Sequence, residues 1–292
     1  MNQVVVYIAL VLIGACLGSF AGATVWRLRA RQLSFDKKHG EEYDKVEYSR
    51  LKGLLDTSAL KDRSRCLECG YALRWYDLIP IVSWLSLGGR CRSCRQPIGK
   101  FEITIELAMT AFFVLSYVLW PTDLQTPLEI AHFVLWLVSG VVMGVLFAYD
   151  YKWFLLPDSF TISLAVAGAA IVGVMVAATG DWGVALSALG SVAILGGLYF
   201  ILNIVSRGKW VGMGDAKLGV GLGLLLADWR LALVALFLAN FIGCLIVIPQ
   251  MVTKRLTGNS RVPFGPLLIL GAVITFFAGP YFLDWYMSLL LI

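Results

Sequence analysis

The chain has 292 residues, 59% of them hydrophobic and only 15% charged, with a mean hydropathy of +0.79. A soluble domain carries about 25% charged residues, so a single water-soluble core is excluded and a membrane protein is indicated. The formal net charge of +5 suggests nucleic acid only until its placement is read, because the basic residues gather in a few loops between apolar runs.

Eight apolar runs follow one another, each near the roughly 20 residues a helix needs to cross a bilayer. They cover about 4–26, 102–120, 130–149, 157–178, 184–205, 212–228, 230–253 and 263–290. The first has no basic segment before it and no small-residue cleavage site, so it reads as a retained helix rather than a removed signal. The sixth is short, Gly-rich and begins beside a charged residue. The expected fold is an all-α polytopic membrane protein with about eight transmembrane helices and a small zinc-stapled domain between helices 1 and 2. Lys and Arg set the orientation. With the N-terminus outside, the inner loops are about 27–101, 150–156, 206–217 and 253–262, and they hold all of the 24 Lys and Arg except Arg230. The outer loops, such as Pro121–Leu128 and Thr179–Gly183, carry acids but no Lys or Arg. The positive charge is thus a topology signal. The expected surroundings are a lipid bilayer, with a cytoplasmic insert and no nucleic-acid partner.

Residues 27–101 form the one sizeable polar insert. Its first part, Arg29–Arg65, mixes charges with Leu51, Leu54, Leu55 and Leu60, which suits a short amphipathic helix at the membrane surface. Its second part holds Cys66-x2-Cys69, a spacer of 21 residues, and Cys91-x2-Cys94. Two such knuckles offer four thiolates to one ion, the donor set of a closed, structural Zn2+ site. Gly70 and Gly88-Gly89 supply turns beside the knuckles, and so short a segment would be folded by its metal. Disulfides or redox pairs are the alternative, which a cytoplasmic location disfavours. Cys16 and Cys244 fall inside apolar runs and read as small buried residues.

Ionisable residues at bilayer depth are costly and usually functional. Three acids stand where runs meet the inner face: Asp150, Asp158 and Asp215. Two facing carboxylates cannot both ionise easily; one can then serve as general base on a water and the other as general acid toward a carbonyl. Gly212 and Gly214, beside Asp215, allow close backbone approach and positive φ. The competing reading makes Asp215 an N-cap, and on residue chemistry alone both stand. Asp158, after Pro157, reads as a capping or supporting residue. Of the two histidines, His132 falls in the outer half of a span and His39 in the polar insert, so a Ser-His-Asp triad is not expected.

These motifs, in this order, resemble the bacterial type IV prepilin peptidases, a family of bifunctional leader peptidases and N-methyltransferases with a Gly-x-Gly-Asp aspartate motif. The resemblance rests on Gly18-Ser19-Phe20 with Arg27-Leu28, the two Cys-x-x-Cys pairs with Trp75, Asp77 and Ile79-Pro80 between them, Ile98-Gly99-Lys100 with Glu106-Leu107, Asp150 with Leu156-Pro157-Asp158, Gly212-x-Gly-Asp215 with Lys217, and Pro263-Phe264-Gly265-Pro266. It implies that Asp150 and Asp215 are the catalytic pair, supported by Gly212, Gly214, Asp158 and Lys217. It implies prepilins or type II secretion pseudopilins as substrates, cut after a Gly that ends a basic leader. It further implies N-methylation by S-adenosylmethionine, with Glu106 the candidate acid and the cysteine domain the part concerned, in the bacterial inner membrane. Leu67, Leu78 and Phe101-Glu102-Ile103 depart from the family pattern, all in or beside that domain. The expected organisation is helix 1 over 1–26, the cysteine-bearing domain over 27–101 with its four-cysteine zinc module at 66–94, and a transmembrane peptidase domain over 102–292. The rival readings are a transporter or assembly scaffold with a zinc-stapled domain, and a methyltransferase that does not cleave.

Overall fold

The computed structural model describes residues 3–55, 63–253 and 262–290. They are nearly all helical and form two compact units, Met1–Val118 and Leu119–Ile292. Seven helical stretches are long and apolar enough to cross a membrane.

In the first unit, α1 (Gln3–His39) packs on α4 (Phe101–Val118). The contact is set by glycine. A Cβ on Gly14 would stand 2.9 Å from Thr110 Cα, and one on Gly18 would stand 2.7 Å from Glu106 Cα. Small residues four apart share one helix face and let two backbones touch, the means by which helices associate in lipid. α1 does not stop near residue 26 as expected. Its 37 residues span about 55 Å at ~1.5 Å each, well beyond a hydrocarbon core of about 30 Å. Its charged last third ends in Lys37, Lys38 and His39, which complement the helix dipole. A short helix, α2 (Lys45–Leu51), is capped by Asp44, whose Oδ1 accepts from the N–H groups of Val46 at 2.8 Å and Glu47 at 3.0 Å. A short helix does form in the segment where one is expected, but it ends at Leu51 and its apolar side turns onto α1. Its Leu51, with Leu54 and Leu55, packs against Ala30 and Leu33 of α1. Leu60, grouped with them by sequence, lies outside the described residues, as does most of the loop 253–262. α3 (Val82–Ser86) lies between the two cysteine pairs.

The second unit contains α5 (Pro127–Trp153), α6 (Asp158–Thr179), α7 (Gly183–Val192), a π-turn (Ala193–Gly197) continuing into α8 (Leu198–Ser206), α9 (Met213–Leu226), α10 (Trp229–Val252) and α11 (Phe264–Leu290). α5 starts on a capping box: the Glu129 N–H donates to Thr126 Oγ1 at 3.2 Å, and the Thr126 N–H donates to Glu129 Oε2 at 2.8 Å. α9 is the short sixth run. At 14 residues it is about 21 Å long, and it is shielded by its neighbours: Gly221 abuts Leu164 of α6, Gly223 abuts Val192 of α7, and Gly196 of the π-turn abuts Val220. α10 is the opposite case. Only 22% of its most apolar window is buried, and Phe237, Phe241 and Leu245 face outward. Such a helix requires lipid around it. Cys16 and Cys244 do lie in helices, but both are exposed rather than buried, so each sits on an outward, apolar face where a small sulfur side chain costs nothing.

Candidate active site and thiolate cluster

Asp150 occupies the last turn of α5 and is 4% exposed. The helix ends four residues on at Phe154, with φ +57°. The N–H of Gly265, the second residue of α11, donates to Asp150 Oδ2 at 3.0 Å. N–H groups in a first helical turn have no partner within the helix and carry the positive end of its dipole, so this donor is preset for an anion. A Cβ on Gly265 would fall 2.7 Å from that same oxygen; only glycine permits the approach. Asp215 is the third residue of α9, and its Oδ2 accepts from the Gly212 N–H at 3.2 Å. The capping reading therefore has the bond right and the position wrong: Gly212 is the N-cap.

The two acids belong to one neighbourhood, joined through Leu156. Leu156, in the link between α5 and α6, packs between the two glycine motifs. Its Cβ lies 3.1 Å from where a Cβ of Gly214 would be, and its Cδ2 lies 3.5 Å from the corresponding position on Gly265. The glycines serve by lacking a side chain, not by unusual dihedrals: Gly212 has φ −74°, and Gly214 is helical. Asp158 does not cap α6; Pro157 holds that place. Its Oδ1 instead accepts from Lys217 Nζ at 2.7 Å, an ion pair between partly exposed side chains that ties α6 to α9.

Asp150, Asp215, Gly212 and Gly214 thus come together from α5 and the start of α9, and Asp158 with Lys217 ties α6 to α9 nearby. Two residues were not singled out for roles by sequence. Gly265 stood only inside a quoted motif. Tyr199 of α8 is buried, and its ring lies tilted against Phe264, next to Gly265, with centroids 5.2 Å apart; its hydroxyl makes no hydrogen bond among the described residues. The histidines are elsewhere. His39 bonds Phe35 O at the end of α1, and His132 lies among Trp120 and Phe276.

The four cysteine sulfurs lie within 4.8 Å of one another. Cys66 and Cys94 Sγ are 3.9 Å apart, and Cys69 and Cys91 Sγ are 4.0 Å apart. A tetrahedron of ~2.3 Å Zn–S bonds has edges of about 3.8 Å, so the donor set fits one Zn2+. The knuckles are built alike. The Gly70 N–H donates to Cys66 O, and the Arg95 N–H donates to Cys91 O, both at 3.0 Å. Both turn residues are left-handed, Gly70 at φ +71° and Arg95 at φ +59°. Buried Asp77, in the spacer, accepts from Arg92 Nε at 2.7 Å and locks the spacer onto the second knuckle. Without metal, burial pushes the Cys66 thiol up to about 12. Burial also raises Cys91, but the N–H groups of Cys94 and Ser93, with neighbouring thiols, outweigh it and bring that thiol down to about 7.

Glu106 lies not in the first turn of α4, where a capping role would place it, but in the second. It is 7% exposed, and its Oε2 accepts from the Ile81 N–H at 2.7 Å. Ile81 itself has φ +62°, a strained setting for a β-branched residue. One turn earlier, Glu102 Oε1 accepts from Trp26 Nε1 at 3.1 Å.

Fold and site together define a multi-pass helical membrane protein with a buried and a half-buried acid, Asp150 and Asp215, in one unit and a tetrathiolate module in the other. Residues 12–120 match the bacterial peptidase A24 N-terminal domain, and residues 137–248 match the type IV leader peptidase family. A type 4 prepilin-like proteins leader peptide-processing enzyme of Escherichia coli is 30% identical over 92% of this chain and 93% of its own length. A prepilin leader peptidase/N-methyltransferase of Burkholderia pseudomallei is 31% identical over 76% of this chain and 69% of its own, and one of Pseudomonas aeruginosa is 26% identical over 92% and 89%. No solved structure matches. The chain belongs to the type IV leader peptidase family.

Proposed function

We propose that this protein cleaves the leader from prepilins or pseudopilins with Asp150 and Asp215, then N-methylates the new terminus. The observation that carries the cleavage reading is the meeting of these two acids from α5 and α9 around Leu156, with the Gly265 N–H on one of them. A pair sharing one proton can act on a water and a carbonyl at once. The ionised carboxylate takes a proton from water as its oxygen attacks the carbonyl carbon. The protonated carboxyl gives its proton to the carbonyl oxygen. As the C–N bond then breaks, the leaving nitrogen takes a proton from the pair. Gly212 and Gly214 leave room for an extended substrate backbone, and Lys217 with Asp158 steadies the start of α9.

The charge placement sets the N-terminus outside, the cysteine domain in the cytoplasm and both acids at the inner face of the inner membrane, where a basic leader ends. The cysteine-bearing segment 27–101 serves methylation and the helices of 102–292 serve cleavage. Cys66, Cys69, Cys91 and Cys94 hold a structural Zn2+ with no open coordination position. S-adenosylmethionine supplies, when bound, an electrophilic methyl group on a sulfonium. Glu106 is the candidate acid on this side of the reaction.

The test is mass spectrometry of a prepilin co-expressed with the protein. The wild type yields a mature chain starting after the leader Gly, heavier by the mass of one CH2 when methylated. Asp150→Asn and Asp215→Asn each leave the leader attached at normal enzyme levels. Full processing by either variant removes the two-acid mechanism.

A further inference from the structure

The spacer between the two cysteine pairs carries its polarity inside out. Its polar groups are engaged within the first unit. Asp77 accepts from the Arg74 N–H at 3.1 Å and from Arg92 Nε at 2.7 Å. Trp84 Nε1 donates to Gly99 O at 2.9 Å, and its ring lies over Gly89, where a Cβ would fall 2.7 Å from it. The Ile81 N–H donates to Glu106 Oε2 at 2.7 Å. The apolar side chains Trp75, Ile79, Val82 and Leu85 are left on the outside, Trp75 at 77% exposed and Leu85 at 62%. Val82 and Leu85 stand three apart on one face of α3. Large apolar side chains gathered on one short segment mark a surface that meets something other than water.

The position of the segment says what it meets. α1 and α4 are both long and apolar enough to cross a membrane. They run antiparallel, with Gly14 against Thr110 and Gly18 against Glu106. Arg27 and Lys100 mark where their apolar stretches end. Glu106 is six residues past Lys100, about 9 Å along the helix, and its side chain leans back toward the helix start. The bond to Ile81 therefore holds the Ile79–Val82 turn beside the first two turns of α4, at the depth where headgroups give way to hydrocarbon. Trp75 suits that boundary, since an indole has an apolar body and one polar N–H. Exposed Arg74 and Arg90 flank the segment and give it the charge that anionic headgroups attract.

We propose that Trp75, Ile79, Val82 and Leu85 insert into the lipid interface beside α1 and α4, so that the cysteine module is keyed to the bilayer surface rather than standing free of it. The partner is a phospholipid surface with anionic headgroups. The inference depends neither on the cleavage and methylation readings nor on which leaflet is involved. It gives the strained Ile81, at φ +62°, a purpose: the reversal that brings its N–H to Glu106 leaves Ile79 and Val82 facing outward.

The experiment uses the full-length protein in nanodiscs of phosphatidylethanolamine and phosphatidylglycerol. A photoreactive benzoylphenylalanine replaces Val82, Leu85 or, as a control on the second knuckle, exposed Ser93. After irradiation, intact-mass analysis shows phospholipid adducts several-fold more often at 82 and 85 than at 93. Equal yields at all three positions would overturn the proposal. So would a cross-link from 82 or 85 to a second copy, or to a co-reconstituted prepilin in place of lipid, since either assigns the surface to a protein partner. Because a bulky replacement can disturb the module, unaltered protein is also footprinted with hydroxyl radicals. Trp75, at 77% exposed, would oxidise almost as fast as in the unfolded chain if it faced water, and oxidises several-fold more slowly if lipid covers it. The slower rate is the expected result, and the near-unfolded rate would overturn the insertion.

Discussion

At the scale of single residues, the two acids were legible because an ionisable side chain stands out in an apolar run. Their surroundings were not. Nothing in the sequence spacing says that the N–H of Gly265, 115 positions away, donates to Asp150, or that Leu156 touches both glycine motifs. Those facts depend on how four helices pack. Gly265→Ala is therefore an incisive test. The added methyl must displace either Asp150 or the start of α11, since it would fall 2.7 Å from the carboxylate oxygen. A shift of that order costs roughly 100-fold in rate when it misplaces a reacting group. Prepilin cleavage should fall by about that factor while the enzyme still accumulates in the membrane; a variant that cleaves at the wild-type rate would remove Gly265 from the site. Lys217→Met probes the opposite situation. Its partner Asp158 is largely exposed, and such pairs contribute ~0–1 kcal/mol. Thermal unfolding should barely move, and a large destabilisation would show that the pair does more than tie two surfaces.

At the scale of elements, the cysteine module followed from spacing, because two thiolates per knuckle leave little geometric freedom. α1 did not. Its apolar run ends near residue 26, but the helix ends where its stop signals are, at Lys37-Lys38-His39 before Gly40 with φ +74°. Bilayer length limits the apolar part of a helix, not the helix. The two knuckles offer a paired comparison. Gly70 takes its left-handed conformation without strain, while Arg95 takes the same one at a cost of ~1 kcal/mol. Arg95→Gly should make the module hold its metal more firmly against a chelator, and Gly70→Ala less firmly, each by about 1 kcal/mol. The reverse order would contradict the equivalence of the knuckles. Acid should release the metal. Cys66 without metal keeps its proton up to about 12, so zinc must displace that proton, and each fall in pH favours the thiol over the thiolate. Metal-derived stability is thus full at neutral to high pH and is lost on acidification. Elemental analysis after dialysis at stepped pH measures it; a metal content independent of pH between neutral and mildly acidic conditions would contradict thiolate ligation.

At the scale of the whole molecule, the short α9 decides the topology. Asp150 closes α5, Asp215 opens α9 and Gly265 opens α11, and all three lie at one face because Asp150 bonds Gly265 and Leu156 touches both Gly214 and Gly265. From the end of α5 to the start of α11 the chain passes through α6, the α7–α8 helix, α9 and α10. An even number of crossings returns it to the same face. Without α9 the number is odd, and Gly265 would emerge on the wrong side. α9 therefore crosses although it is only about 21 Å long, shielded by protein where a lipid-facing helix would need more length. With α9 counted, the second unit returns to the face of Asp150 before α11 begins. The proposed orientation puts that face inside. In that proposed orientation Arg230 is the one basic residue outside, and its pairing with Asp228 at 2.9 Å keeps it from arguing for the reverse. Cysteines introduced at exposed positions in a Cys16→Ser/Cys244→Ser background, which keeps the four clustered thiols, should report this by the label gained over that background. Asp123→Cys, in the link before α5, should react with a membrane-impermeant maleimide on intact inner-membrane spheroplasts. Lys52→Cys, after α2, should react only once the membrane is opened. Labelling of Lys52→Cys in intact spheroplasts, with Asp123→Cys protected, would invert the molecule and place the paired acids on the outer face, away from a cytoplasmic basic leader.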